Sequence, residues 1–71
     1  MMFMGATHRF VILGQDILTL DTKAERDEAA RVMADAKVFS LPVYSGGPES
    51  SRPEGRDFCA SADGLSWSWS R

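Results

Sequence analysis

Only one stretch of this chain carries helical periodicity, and that limits the folds open to it more than any other feature. The segment from Thr22 to Lys37, TKAERDEAARVMADAK, opens with Thr22 and Glu25 at capping-box spacing, so the threonine oxygen can accept the Glu25 amide while the carboxylate reaches back. Ala29, Met33 and Ala36 then follow at i, i+4 and i+7, flanked by Ala30 and Val32, which predicts a single apolar stripe. Asp27, Glu28, Arg31 and Asp35 fall on the other side. Asp27 and Arg31, and Arg31 and Asp35, are each spaced for i,i+4 pairing on a solvated face. One helix with one apolar stripe must cover a sheet.

The strands are read from alternation and turn signals. Residues 9–21, RFVILGQDILTLD, predict a β-hairpin; a three-residue Gly14-Gln15-Asp16 loop would set Ile12 opposite Leu18 and Phe10 opposite Leu20. Val38 to Tyr44 alternates as a strand, and Pro42, which donates no amide hydrogen, predicts that it lies at a sheet edge. Residues 45–56, SGGPESSRPEGR, have the composition of a flexible loop. Asp63-Gly64 predicts a tight hairpin turn that pairs Ala62 with Leu65, Ala60 with Trp67 and Phe58 with Trp69 on one face. Cys59 and Ser61 then meet Ser68 and Ser66 on the other. Residues 1–7 are expected to be a frayed end or an extra edge strand. The fold class is therefore α+β: a single domain with a small antiparallel sheet of four or five strands, in the order ββαβ, loop, ββ, and one amphipathic helix on one face.

Size and charge narrow the function. A chain of 71 residues is near the lower limit for a self-supporting core, which favours self-association as a homodimer. The net charge of −2 and a pI near 5.1 argue against non-specific binding to nucleic acid or anionic membrane. Cys59 is the only cysteine, so no internal disulfide can form, which suits a reducing cytoplasm. The apolar start Met1 to Met4 is too short for a signal peptide or a membrane span.

No motif names a chemistry. His8 and Cys59 are single residues without metal-ligand spacing, and a Cys59–His8 dyad would be an unusual pairing for a strand cysteine. Gly46-Gly47 lacks the lysine and helix of a phosphate loop. No catalytic residue, metal or cofactor is expected. Trp67 and Trp69 on one strand face could form a stacking platform with Arg9, Arg52, Arg56 and Arg71, or cap a core beneath the helix.

The favoured expectation is a non-enzymatic protein-binding module that masks a partner protein's surface. Its contact residues would be Phe39, Leu41 and Tyr44 on the edge strand and Trp67 and Trp69 on the terminal strand. The helix face of Asp27, Glu28, Arg31 and Asp35 would steer the encounter. A nucleic-acid accessory protein and a ligand-binding or enzymatic subunit with its site at a dimer interface are the alternatives. In size and plainness the chain resembles the small phage-encoded inhibitors of host defence, anti-CRISPR proteins among them. That resemblance rests on no motif and carries no residue-level role; it implies a host nuclease or a surveillance complex as partner.

Overall fold

The helix expected from the capping box is present, and it lies across one face of a five-stranded sheet. The computed structural model describes residues 8–47 and 50–70; the expectations for residues 1–7 and for Arg71 fall outside them. The elements are β1 (His8–Leu13), β2 (Asp16–Thr19), α1 (Lys23–Asp35), β3 (Ser40–Gly47), β4 (Ser50–Ala60) and β5 (Trp67–Ser70). They form one antiparallel sheet in the order β2-β1-β3-β4-β5. This is the α+β architecture that one amphipathic helix and alternating strands call for. β2 and β3 flank β1 and run in the same direction, so α1 is the crossover between them.

Thr22 caps α1 as the spacing requires. Its Oγ1 accepts the Glu25 amide at 3.1 Å, and Glu25 Oε1 accepts the amides of Thr22 and Asp21 at 3.0 Å. The buried stripe is Ala29, Ala30 and Met33; Ala36 is the exposed C-cap and not part of it. At the C-terminus the amide of Val38 bonds the Met33 carbonyl and that of Lys37 bonds Ala34, a Schellman closure. Such a closure needs a left-handed residue, and Lys37 supplies it at φ 61°. A non-glycine residue there costs about 1–2 kcal/mol, while glycine costs about 0.5–1 kcal/mol more chain entropy. Lys37→Gly is accordingly expected to stabilise the fold by about 0.5–1 kcal/mol, a melting-temperature rise of roughly 3–6 °C. An unchanged or lower melting temperature would refute that account of the cap.

The core forms where α1 meets the sheet. Val11, Leu20, Ala29, Ala30, Met33, Val43, Phe58 and Ala60 are buried, and Leu18, Leu41 and Trp67 pack against them. The terminal hairpin has the predicted register, with Ala60 opposite Trp67, Cys59 opposite Ser68 and Phe58 opposite Trp69. Its connection is longer than a two-residue turn. Ala62 and Leu65 are unpaired and exposed, while Gly64 is buried against Arg31 and Ala34 of α1. Asp63 Oδ1 organises this loop by accepting the Ser61 hydroxyl at 2.7 Å and the Leu65 amide at 3.0 Å; those bonds hold its carboxyl below the usual range.

Three further expectations need correction. The first hairpin turns through two residues, Gly14-Gln15, so Leu13 meets Asp16, Ile12 meets Ile17 and Val11 meets Leu18. Gly14, at φ 63° in the first central position, has the arrangement of a type II′ turn, whose twist matches the flanking strands better than a three-residue loop ending on Asp16. This register sets Phe10 and Ile12 beside Thr19 and Ile17 on the face away from α1, and Val11 beside Leu18 on the helix face. Secondly, β3 is central and not an edge. Pro42 is accommodated because β1 pairs with β3 only from Tyr44 to Gly46, and because a bulge interrupts the β4 side between Pro42 and Tyr44. Thirdly, the described part of 45–56 is strand, the distal half of the β3–β4 hairpin, with Ser45 opposite Arg52 and Gly46 opposite Ser51.

Candidate partner-binding surfaces

Sheet order and side-chain alternation create three distinct surfaces. The first is the β5 edge. Trp67 is half-buried at the margin of the core, and its indole N–H donates to Asp27 Oδ1 at 2.9 Å. Trp69 is 36% exposed, so it is the more available ring. Both rings lean on Phe58, at 5.6 Å for Trp67 and 5.3 Å for Trp69, and on each other at 5.9 Å. Guanidinium groups cover their faces: Arg26 lies 5.0 Å from the Trp67 centroid and Arg56 lies 4.2 Å from that of Trp69. A base or sugar would have to displace those cations before stacking. Arg26 is further held by the Leu20 and Asp21 carbonyls at 2.9 and 3.3 Å, while Arg56 and Arg9 both pair with Glu54. Although burial opposes ionisation of Glu54, hydrogen bonds from Arg56 and Ser45 and the charges of Arg56 and Arg9 keep its carboxyl below the usual range.

Backbone geometry makes this edge more informative than its rings. The Ser61 amide bonds the Ser66 carbonyl, and in that register Cys59–Ser68 and Asp57–Ser70 are the next hydrogen-bonded pairs. The N–H and C=O groups of Trp67 and Trp69 therefore point away from β4. No strand flanks β5 on that side among the described residues.

The second surface is the outer face of α1. Glu28, Arg31 and Asp35 are exposed, as the spacing predicts. Asp27 behaves differently: Lys23 Nζ lies 2.8 Å from Oδ2, and the carboxylate faces Trp67 instead of forming an ion pair with Arg31. Bonds from Lys23 and then Trp67 hold its pKa below the usual range.

The third surface is the outer face of the first hairpin, whose strands carry apolar residues on both sides. On the sheet face away from α1, Phe10 stacks on Tyr44 at 5.9 Å and 22°, beside Ile12 at 43% and Ile17 at 65% exposure. A groove of about 400 Å³ runs between His8, Phe10, Ile12, Ile17, Thr19 and the Gly46-Gly47 backbone. Across β4 and β5 the same face turns polar. Ser40 donates to Asp57 at 3.2 Å, Cys59 donates to Ser40 at 3.8 Å, and Ser68 lies opposite Cys59.

The remaining candidates separate. Leu41 packs on the core and Tyr44 belongs to the open face, so with β3 central the trio Phe39, Leu41 and Tyr44 forms no edge surface. Phe39 is 42% exposed beside the β4 terminus. His8 Nδ1 lies 2.7 Å from Asp21, whose carboxyl is held low by the Arg9 amide and then by His8. His8 pairs with Gly46 of β3 and Cys59 with Ser40, positions about 20 Å apart along a strand, so the two cannot form a dyad within one chain. The described residues contain no group of three or more His, Cys, Asp or Glu side chains placed to hold a metal. None of their helices is long and apolar enough to cross a membrane. No protein-family model, curated protein or solved structure significantly matches this chain.

Proposed function

We propose that this chain is a non-enzymatic protein-binding module, of the masking or inhibitor type, that docks through its β5 edge. The observation carrying the reading is the outward backbone of Trp67 and Trp69 on the last strand of the sheet, with the Trp69 ring and Arg56 beside it. An extended partner segment could add there by main-chain hydrogen bonds, with the tryptophan and arginine as side-chain anchors. The exposed charges of Glu28, Arg31 and Asp35 would steer the approach. A host nuclease or surveillance complex in the cytoplasm is the partner class we assign, following the resemblance in size and composition.

The test is capture from nuclease-treated host lysate at two salt concentrations, with parent and variant chains of equal circular dichroism. The parent should retain one stoichiometric protein under both conditions. Trp69→Pro, which removes the outward amide and the ring together, should weaken that capture at least ~30-fold, the effect expected of an interface hot spot. Equal capture by the variant, or recovery of nucleic acid in place of protein, would overturn the proposal.

A further inference from the structure

We infer that the open sheet face, apolar over β2–β1–β3 and serine-rich over β4 and β5, is closed by the same face of a second copy, giving a four-layer α-β-β-α homodimer. Ile12, Ile17, Phe10 and Tyr44 form a continuous apolar strip that no element of the chain covers among the described residues. Burying such a strip is favourable by about 25 cal/mol per Å². The occupant follows from the charges. Among the described residues, the acidic and basic groups on this face are His8, bonded to Asp21 at one margin, and Asp57, bonded to Ser40 in the polar half. A nucleic acid or a strongly charged protein would meet no complementary group over the strip. A second copy needs none: rotated by a two-fold axis, it lays apolar half on apolar half and serines on serines. The charged residues of α1 stay outermost, with all four layers between the two outer faces. At that separation screening leaves little of the repulsion between two chains of net charge −2.

Area sets the class of interface. Five strands at ~4.8 Å spacing and ~20 Å length present roughly 480 Å² in projection, and two such faces bury on the order of 1,000–1,200 Å² of accessible surface. That is the lower edge of a stable interface, the range of weak and reversible association. Sheets packed face to face leave both β5 edges free, and the inference does not depend on the function proposed above.

Sedimentation equilibrium of the full chain from about 1 to 500 μM tests it. The mass should rise to twice the 7.8 kDa protomer, with a micromolar Kd. Ile17→Lys, on an exposed edge-strand position, should weaken association at least ~100-fold, with the circular dichroism unchanged. Thr19→Arg, which lies on the same face outside the core, supplies a second reading if Ile17→Lys unfolds. A parent that stays monomeric throughout overturns the inference. So does a dimer that survives both substitutions, or one that Trp69→Pro alone dissociates by breaking β5–β5 pairing.

Discussion

Phe58→Ala is expected to abolish cooperative unfolding at 25 °C. Phe58 is fully buried, stacks on Trp67 at 29° and meets Trp69 edge-on at 67°, so it joins the core beneath α1 to the aromatic β5 edge. Truncating a buried phenylalanine costs about 3–5 kcal/mol, and a core of this size supplies only about 3–5 kcal/mol in all. The two quantities are equal, so the variant should have no stable native state. Urea titration followed by tryptophan emission would give no sigmoidal transition and a red-shifted spectrum from the start, because both reporters touch the deleted ring. Phe58→Leu, which keeps most of the volume, should lose only about 1–2 kcal/mol and remain cooperative. A Phe58→Ala protein with a parental midpoint would mean that the core lies elsewhere. Protein concentration must be matched, since dimerisation raises apparent stability by mass action.

Gly64→Ala should be the next most damaging. The residue sits at φ 74°, where an L side chain costs about 1–2 kcal/mol. Its new methyl would also lie 3.1 Å from Ala34 Cβ and 3.2 Å from Arg31 Cα. Overpacking of this kind typically costs a further 1–3 kcal/mol, for a total of about 2–5 kcal/mol, a large share of the stability. The contributions can be separated. Ala34→Gly costs about 1 kcal/mol alone as a helix substitution, but in the Gly64→Ala background it removes one of the two close contacts. A double-mutant cycle should therefore show favourable coupling. Additive losses would mean that the backbone angle, and not the approach of the loop to α1, carries the effect.

What could be read from the chain, and what could not, divides along physical lines. The capping box and the Asp63-Gly64 hairpin were legible because each fixes geometry within a few residues and sorts its side chains cleanly. The Phe58–Trp69 and Ala60–Trp67 pairs tolerate no other register without exposing the core. The first hairpin carries apolar residues on both faces, so its pattern permits two registers and only the turn decides. The centrality of β3 was illegible because strand order is set by long-range pairing, and Pro42 signals an edge unless the adjoining ladder has already ended. Ser45 to Arg56 reads as loop by composition, yet Arg9 and Arg56 grip Glu54 from two strands and tie that distal hairpin to the sheet. The cation over Trp67 was likewise invisible, because Arg26 lies far in sequence from the ring it meets, whereas Arg56 was among the arginines already set beside Trp69.

The strand order also bears on how quickly the chain finds its fold. Three of the four ladders join strands adjacent in sequence, so each can zip within microseconds once its turn forms. The exception is β1 with β3, where Phe10 must reach Tyr44 across about 34 residues that include the whole of α1. Only that closure brings the β1–β2 hairpin and the β3–β4–β5 meander into one sheet and gives Met33 both halves to pack against. The β1–β3 junction is therefore the natural barrier to folding. Until it is crossed, the chain consists of two part-formed sheets, each with an unpaired inner strand that could join the wrong neighbour.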